Sequence, residues 1–308
     1  MNTRIIVIAG PTASGKSALA LGLAERLGGT IINADSMQIY RDLEIVTARP
    51  APADLARAPH RLYGILDGGK LCSAARWAGL ARHEIEQAAA AGRLPILCGG
   101  TGLYLRTLLY GIAPVPEIPE AVRQAARQRH AELGGAAFRD ELAGLDPAGA
   151  VRIAAGDSQR LLRAYEVVAA TGRPLTEWQQ AQPSAPSGLD PLIFTLLPPR
   201  EALYAAIDAR FAGMVAAGVL DEVRALIGRG LDPALPVMKA VGVPELAAYL
   251  AGNLTLDAAI SQAQQASRRY AKRQFTWFRH QMPAAQTFDA QYSVNFISQI
   301  CQIICNVT

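Results

Sequence analysis

The sequence predicts an α/β protein in which a parallel sheet is flanked by helices and interrupted by a smaller, all-helical insertion. Two observations support this fold. Apolar runs typical of buried strands alternate with helical patterns over the first third of the chain, an order that builds a parallel, doubly wound sheet. After Pro116 the strand signal stops and helical patterns separated by glycine and proline take over. Leu192 to Leu197 is then predicted as one more strand.

The predicted elements follow one another from the first apolar run. Ile5 to Ala9 is a strand, Lys16 to Leu27 a helix and Thr30 to Ala34 a second strand. The next helix spans Arg76 to Ala90, and the next strand spans Leu94 to Cys98. Ligands of such sheets gather at the carboxyl ends of the strands. The loops that follow the three strands are therefore the candidate site.

These signals divide the chain into three parts. Residues 1–116 and 191–285 are predicted to form the sheet-containing core, and residues 117–190 the helical insertion. Residues 182–188, rich in proline and serine, are predicted as a linker. Residues 286–308 are a tail whose sequence is compatible with a helix or a strand and assigns neither.

Composition indicates a folded protein. The 308-residue chain is 51% hydrophobic, and no apolar run reaches the roughly 18 residues that a membrane span needs. Since no signal-peptide pattern is evident, we expect a soluble, cytoplasmic protein. The net charge of +4 permits a nucleic-acid partner without requiring one. The four cysteines lack the spacing of a zinc site, so reduced thiols are expected.

The loop after the first strand carries the most specific motif. Residues 10–17 match the pattern G-x-x-x-x-G-K-S/T between a strand and a helix, as a P-loop requires, and predict a P-loop NTPase-like core. Backbone N–H groups are expected to bind phosphate oxygens, with Lys16 adding a charge and Ser17 ligating Mg²⁺. Such a loop usually binds ATP or GTP, but the motif alone does not identify the ligand. The predicted phosphate-binding residues are Gly10, Thr12, Ala13, Ser14, Gly15, Lys16 and Ser17.

The other two loops are less specific. Asp35 follows the second strand and is compatible with a metal ligand, a general base or a turn cap. Gly99 to Gly102, which includes Thr101, follows the third strand, where a P-loop ATPase is expected to carry an aspartate. In residues 267–282, basic side chains fall on neighbouring helical stripes, which favours either an anion-facing helix or an ordinary solvated face.

Taken in order, these segments resemble one family, the bacterial tRNA dimethylallyltransferases, also called tRNA isopentenyltransferases. The resemblance runs through nearly the whole chain. The motifs that carry it are Gly-Pro-Thr-Ala-Ser-Gly-Lys-Ser at 10–17, Asp-Ser-Met-Gln-Ile-Tyr at 35–40, Thr-Ala-Arg-Pro at 47–50, Leu-Pro-Ile-Leu-Cys-Gly-Gly-Thr-Gly-Leu-Tyr at 94–104, Asp-Ser-Gln-Arg-Leu at 157–161, Asp-Glu-Val-Arg at 221–224 and Tyr-Ala-Lys-Arg-Gln-Phe-Thr-Trp-Phe-Arg at 270–279.

The resemblance implies transfer of a dimethylallyl group from dimethylallyl diphosphate to N6 of the adenosine immediately 3′ of the anticodon, position 37, with release of diphosphate. The phosphate loop would hold the diphosphate, with Mg²⁺ as the cofactor. By the same resemblance, Asp35 is the general base, Thr101 contacts the substrates and Arg224 anchors the diphosphate.

The partners that the resemblance implies are the anticodon stem-loop of tRNA and dimethylallyl diphosphate, bound by a monomer. The adenine would leave its stack to reach the allylic carbon, and arginines of the insertion would grip the RNA backbone. The implied tRNA-binding residues are Asp35, Ser36, Met37, Gln38, Thr101, Arg123, Asp157, Ser158, Gln159, Arg160, Leu161 and Lys239.

Two departures from the family pattern concern the tRNA side of the site. Val46 stands where the family usually has glycine, and Val243-Pro244 where it often has an aromatic residue and a cation. Two other functions remain as alternatives, a small-molecule P-loop kinase and a non-catalytic RNA-binding ATPase module. The missing aspartate after Leu94 to Cys98 counts against the kinase.

Overall fold

The computed structural model describes residues 2–180, 188–282 and 285–307. Contacts divide the chain into two compact units. The sheet unit comprises Met1–Leu109 and Pro186–Thr308, and the helical unit comprises Tyr110–Ala185. The predicted linker lies outside the described residues except for Gly188.

Six parallel strands and thirteen α-helices are formed by the described residues. The strands are β1 (Thr3–Ala9), β2 (Gly29–Asn33), β3 (His60–Arg61), β4 (Leu94–Gly99), β5 (Leu189–Leu196) and β6 (Gln286–Phe288). The helices are α1 (Lys16–Leu27), α2 (Pro52–Leu55), α3 (Ala74–Ala90), α4 (Gly102–Tyr110), α5 (Glu120–Leu145), α6 (Pro147–Arg152), α7 (Ser158–Thr171), α8 (Leu175–Gln180), α9 (Arg200–Ala216), α10 (Val219–Gly228), α11 (Val243–Leu250), α12 (Leu256–Gln281) and α13 (Val294–Val307). A 3₁₀ helix spans Pro236–Lys239.

The strands form one sheet in the order β3-β2-β4-β1-β5-β6, with every neighbouring pair parallel. The predicted α/β class with a parallel sheet is therefore confirmed. In the register, Ala9 of β1 lies opposite Gly99 of β4, and Asn33 of β2 opposite Cys98. The carboxyl ends of these three strands are thus level, and the loops that follow them meet at one edge.

Helices cover both faces of the sheet, as the near-continuous apolar run of β1 requires. Successive side chains of a strand point to opposite faces. Ile5 packs in the same cluster as Trp77 of α3, whereas Ile6 packs in the cluster that contains Leu19 of α1 and Ile300 of α13. All five side chains are fully buried, each contributing about 1.5–3 kcal/mol of transfer free energy. This two-sided core holds the strand ends in place.

The segment after residue 285 belongs to the sheet unit, which corrects its prediction as a tail without assigned structure. β6 adds to β5 with Phe194 opposite Gln286, and α13 packs against α1. Two glycines allow that approach, because a Cβ at Gly15 would overlap Tyr292 and a Cβ at Gly22 would overlap Ile297. A strand of three residues is too short to show the alternation by which strands are recognised in sequence.

The helical unit contains α5 to α8 and has its own small core. α5 bends at Gly134, whose φ of 72° interrupts the helix. Phe138, Leu142 and Leu161 are fully buried in that core. The unit ends earlier than the predicted insertion, because β5 begins at Leu189 and pairs with β1 from its first residue.

Among the described residues, no single helix is both long enough and apolar enough to span a membrane. Only α9 and α10 taken together reach that standard, and they are bent by 70° where they meet.

Candidate active site

A cavity of about 290 Å³ lies where the loops after β1 and β2 meet helices α9 and α12. The phosphate loop and the Asp35 turn contribute one side of its lining, and apolar and basic side chains contribute the rest. The residues of this lining include Thr12, Asp35, Ser36, Met37, Val46, Thr47, Ile207, Arg210, Phe211, Met214, Lys239, Tyr270 and Arg273.

The phosphate loop has the conformation that its glycines permit. A Cβ at Gly10 would lie 2.6 Å from the carbonyl oxygen of Leu196, so no side chain fits there. Ala13 and Gly15 have φ values of 63° and 87°, and this left-handed backbone turns the chain into α1 at Lys16. The N-cap of α1, Gly15, makes no side-chain hydrogen bond. The helix therefore begins with N–H groups that no side chain caps, an arrangement suited to an anion.

Two partly buried cations flank this loop. The Lys16 ammonium donates to the Pro11 carbonyl at 3.2 Å, and the Arg210 guanidinium donates to Thr12 Oγ1. Burial lowers the pKa of both side chains, and the charge of Arg210 lowers that of Lys16 further, while Asp35 raises the pKa of each. Two like charges held together out of water favour an anionic ligand between them.

Arg224, the predicted diphosphate anchor, is not in this cavity, and the structure corrects that assignment. Its side chain is 61% exposed on α10 and pairs with Asp221. It borders a separate surface pocket beside Ile227 and Leu250. The arginine that meets the phosphate loop is Arg210, which the sequence prediction missed.

A signal for Arg210 was present in the helical pattern of α9. Ile207, Phe211 and Met214 form its buried apolar stripe, and Arg210 stands next to that stripe at helical spacing. A charged residue so placed must be paired or face a polar site. No motif marks the position, because Ala-Arg-Phe is an ordinary helical sequence.

Asp35 has one of the roles that the sequence left open, that of a turn cap, and its role in chemistry stays a prediction. Its Oδ1 accepts hydrogen bonds from the Met37 and Gln38 N–H groups at 2.9 and 3.4 Å, so it caps its own turn. The buried Asn33 side chain holds the turn from the other side, accepting from Asp35 N at 2.8 Å and donating to Asp35 O at 3.0 Å. Since one carboxylate oxygen fixes the turn, the second is left for chemistry in the cavity.

Thr101 supports the Asp35 turn. Its Oγ1 accepts from the Ser36 N–H at 2.9 Å and donates to Ser36 Oγ at 3.2 Å. Its own N–H donates to the Ala34 carbonyl at 3.2 Å, and the Tyr270 hydroxyl also hydrogen bonds with it. Thr101 thus connects β4 to the loop after β2, and the substrate contact that the resemblance implies stays a prediction.

Glu222 of the Asp-Glu-Val-Arg motif holds a second wall of the cavity. Its carboxylate accepts hydrogen bonds from the N–H groups of Glu44, Ile45 and Val46, at 2.7, 2.7 and 2.9 Å. On the same loop, the Gln38 amide donates to the carbonyls of residues 47 and 48 at 2.8 and 3.0 Å. Gln38, predicted to bind tRNA, is engaged within the protein by these bonds. Glu222 is the member of the motif that reaches the site.

Gln274 of α12 bonds to two loops at once. Its Oε1 accepts from the Thr12 N–H at 2.8 Å, and its Nε2 donates to the Gly100 carbonyl at 2.9 Å. The side chain is buried. On the same helix Arg268 pairs with Asp208 at 2.5 Å. Arg268, one of the basic residues on which the prediction of an anion-facing helix depended, is therefore engaged within the protein, and that prediction stays open for the others.

The remaining walls are apolar on one side and basic on the other. Phe211 and Met214 are buried beside Val46. The Val46 side chain also packs closely on Gly242, since a Cβ added at Gly242 would lie 3.0 Å from Val46 Cγ2. The guanidinium of Arg273 lies 5.6 Å from the centre of the Tyr270 ring, whose hydroxyl pKa burial raises. Lys239 adds a further cation. The departure at Val46 thus enlarges the apolar wall.

The predicted tRNA contacts of the helical unit cluster at the start of α7. Asp157 caps that helix, accepting from Arg160 N at 3.3 Å, and its carboxylate pairs with the Arg160 side chain at 3.3 Å. Arg160 is 76% exposed and Gln159 is exposed, with Ser158 partly so. Leu161 is fully buried, so its side chain cannot touch RNA, and the structure corrects that prediction. Leu161 ends the motif because the helix needs a core residue there.

The remaining predicted contact of the helical unit is Arg123. Its Nε is buried and has no hydrogen-bond partner among the described residues. Because a buried N–H group without a partner is costly, an acceptor from a bound molecule would stabilise it.

Relatives of this chain are named as enzymes that transfer a dimethylallyl or isopentenyl group to tRNA. The family model for IPP transferases matches residues 38–281. The tRNA dimethylallyltransferase of Rhodospirillum centenum is 55% identical over 99% of this chain and 97% of its own length. That of Rhodospirillum rubrum is 58% identical over 90% of this chain and 86% of its own.

Solved structures agree with these sequence relatives. The tRNA isopentenylpyrophosphate transferase of Bacillus halodurans superposes with a TM-score of 0.72 at 33% identity, covering 99% of this chain and 96% of that one. A eukaryotic dimethylallyltransferase acting on tRNA superposes with a TM-score of 0.81 at 26% identity, covering 99% of this chain and 80% of that one. The match over most of the chain shows that this protein belongs to the IPP transferase family.

Proposed function

We propose that this protein transfers a dimethylallyl group from dimethylallyl diphosphate to N6 of adenosine 37, immediately 3′ of the anticodon, in tRNA. One observation carries the proposal. Thr12 of the phosphate loop, the Arg210 guanidinium, the Asp35 carboxylate and an apolar wall line one cavity, and Lys16 lies in the same loop as Thr12. Family membership and the names of the relatives support the same reaction.

On the donor side, the allylic C1–O bond breaks and its electron pair leaves with diphosphate. The developing negative charge falls on oxygens that the phosphate loop is built to receive. The uncapped N–H groups of α1, Lys16 and Arg210 stabilise that charge. Because these groups are fixed before the reaction, they stabilise the leaving group without reorganising.

On the acceptor side, adenine N6 forms the new bond to C1 and loses one proton. Asp35 accepts that proton as the general base. Its turn is held by Asn33 and Thr101, so the carboxylate stands at a defined place beside the phosphate loop. The adenine must leave its stack to present N6, as base-modifying enzymes require.

The apolar wall suits a five-carbon prenyl group better than a nucleoside. Ile207, Phe211 and Met214 are buried on α9 and line the cavity together with Val46. Contact with such side chains stabilises an apolar group by its removal from water. We infer that the phosphate loop of this protein holds a prenyl diphosphate where related loops hold ATP.

Mg²⁺ fits the donor set of the site as a substrate-bound ion. This cation commonly keeps several waters and takes one or two protein oxygens together with substrate phosphates. Ser17 stands at the start of α1, where its hydroxyl also hydrogen bonds with Cys98. Within the described ranges, no three His, Cys, Asp or Glu side chains form a ready metal cage. Ser17 would hold the ion, which would add positive charge at the leaving group.

The tRNA would be bound through the anticodon stem-loop. Ser36, Met37 and Lys239 lie at the cavity, where they would meet the flipped base and its neighbours. Exposed arginines of the helical unit, Arg160 among them, would contact phosphates. We propose that the protein acts as a monomer, since the residues that line the cavity come from one chain. Sedimentation of the protein–tRNA complex would test this stoichiometry. We also propose that the protein acts in the cytoplasm.

The test is incubation of the protein with unmodified tRNA, Mg²⁺ and labelled dimethylallyl diphosphate, followed by nucleoside analysis. We expect label on the adenosine next to the anticodon and one diphosphate released per transfer. A tRNA with guanosine at that position is the matched control and should stay unlabelled. Replacement of the donor by ATP should give neither phosphoryl transfer nor tRNA-stimulated hydrolysis. Catalytic ADP formation without any prenylated nucleoside would favour the kinase or ATPase alternatives.

A further inference from the structure

The Gln274 side chain joins the two loops that serve the two substrates. Its Oε1 accepts the N–H of Thr12 in the phosphate loop, and its Nε2 donates to the carbonyl of Gly100 in the turn after β4. These bonds, 2.8 and 2.9 Å long, span 262 and 174 positions of the chain. An N–H at one end and a carbonyl at the other fix the orientation of the amide, because only Oε1 can accept and only Nε2 can donate.

Each end of this bridge continues into the catalytic groups. Thr12 Oγ1 accepts a hydrogen bond from Arg210, so the end of the bridge at Thr12 leads to a cation of the phosphate site. Gly100 precedes Thr101, which bonds to Ser36 next to Asp35, so the other end leads to the general base. The bridge therefore sets the distance between the leaving-group site and the base.

Gly100 is adapted to this amide. A Cβ at Gly100 would overlap Gln274 Nε2 and would lie 3.2 Å from the carbonyl oxygen of Gly10. Its φ is not in the left-handed region, so the need for glycine there comes from space. The Gly-Gly turn thus has a function besides flexibility, which is to admit the Gln274 side chain.

We propose that Gln274 is a positioning residue that holds the phosphate loop and the Asp35–Thr101 side of the site at a fixed separation. The expected effect on turnover rests on the proposed function, whereas the expected effect on the phosphate loop does not depend on it. Loss of the amide would leave two buried backbone groups without partners and would free Thr12 to move. Diphosphate binding and the chemical step should both suffer, whereas docking of the tRNA should not.

The experiment compares Gln274→Met with Gln264→Met on the same helix. Gln264 donates to the Asp208 carbonyl at 3.1 Å, away from both loops, so its loss removes one side-chain bond of α12 without touching the bridge. We expect kcat to fall about 10- to 100-fold in Gln274→Met, since both loops lose the partner that fixes their separation. The KM for tRNA should change less than about twofold. Gln264→Met should keep kcat within about twofold.

Binding of inorganic diphosphate with Mg²⁺, measured by titration calorimetry, supplies a readout that needs no turnover. Gln274→Met should bind it about 5- to 30-fold more weakly than wild type, and Gln264→Met equally well. If wild type transfers no prenyl group but this difference holds, the proposed function fails and the bridge stands. If wild type is active and the two variants behave alike in kcat and binding, the bridge is refuted.

A double-mutant cycle separates positioning from general loss of stability. Gly100→Ala should lower kcat by displacing the Gln274 amide. In a Gln274→Ala background there is no amide to displace, so Gly100→Ala should then cost clearly less than in wild type, and the loss that remains comes from the 3.2 Å contact between the new Cβ and the Gly10 carbonyl oxygen. Additive losses would show that the two residues act independently and would overturn the proposal. Thermal melting of all variants, with assays well below each transition, keeps unfolding out of the comparison.

Discussion

In the sheet unit, the polar side chains around the cavity bond to partners far away in the chain. Thr12 is held by Gln274, 262 positions later, and by Arg210, 198 positions later. In the helical unit, by contrast, Arg160 pairs with Asp157 within one helical turn and is largely exposed. Long-range buried bonds fix atoms in space, whereas local surface pairs contribute about 0–1 kcal/mol and leave the charges accessible. The side chains around the cavity are therefore held in fixed positions, whereas the exposed arginine of the helical unit stays accessible to solvent.

The largest effect should come from Asp35→Asn. This change keeps the size of the side chain and an oxygen for the turn but removes the base, so kcat should fall about 10²–10⁴-fold. Single-turnover assays with saturating substrates would measure it. tRNA affinity, measured by filter binding, should stay near that of wild type. Wild-type turnover by this variant would reduce Asp35 to its turn-capping role.

Two arginines allow the next effect to be tested with a matched pair. Arg210→Ala removes a partly buried cation at the phosphate loop, so prenyl transfer should slow by about 10²–10³-fold. Arg224→Ala removes an exposed cation that pairs only with Asp221 among its described neighbours, and transfer should change by about twofold or less. Steady-state kinetics in donor concentration would compare them. The reverse order of effects would restore Arg224 as the diphosphate anchor.

A smaller effect is expected at Glu222, which holds residues 44–46 from α10. Glu222→Ala leaves three N–H groups without their carboxylate, and the free energy of unfolding should fall by about 1–3 kcal/mol. Urea denaturation would measure the loss. Asp221→Ala, one position earlier and highly exposed, is the control and should be near neutral. Equal stability of the two variants would contradict the role assigned to Glu222.

The smallest effect should lie in the helical unit. Arg160→Ala should weaken tRNA binding by a factor of only about two to five, and should reduce the slope of log affinity against log salt by about one. Arg173→Ala, which removes an arginine held by Glu177 and over Trp178, is the matched control and should leave the slope unchanged. An unchanged slope in Arg160→Ala would remove this residue from the RNA contact.

Much of the sheet unit was predictable because strand periodicity and the glycine loop are local signals. β1, β2, β4 and α1 lie within one or two residues of their predicted bounds. β6 was not predictable, since three residues carry no period and its place depends on a free edge of β5. The first three residues of β5 also escaped prediction, because Leu189, Asp190 and Pro191 show no apolar alternation.

The candidate site was predictable where its residues follow a strand, and not where they enter from a helix. Lys16 and Asp35 come directly after parallel strands, whose ends must meet at one edge. Arg210 and Gln274 reach the same edge from helices packed on the sheet, and which residue points there depends on the rotation of each helix. That rotation is decided by packing, so Gln274 looked like one polar position among the basic residues of α12.

The packing of α13 on α1 has a consequence for how the chain is made. Synthesis delivers Leu19 and Leu23 early, but Ile300, which helps to bury them, comes with α13. At about 5–20 residues per second, the apolar side of α1 waits roughly 15–55 s on the ribosome for this cover. The packing around the phosphate-loop helix is therefore completed only after residues 294–307 have been synthesised.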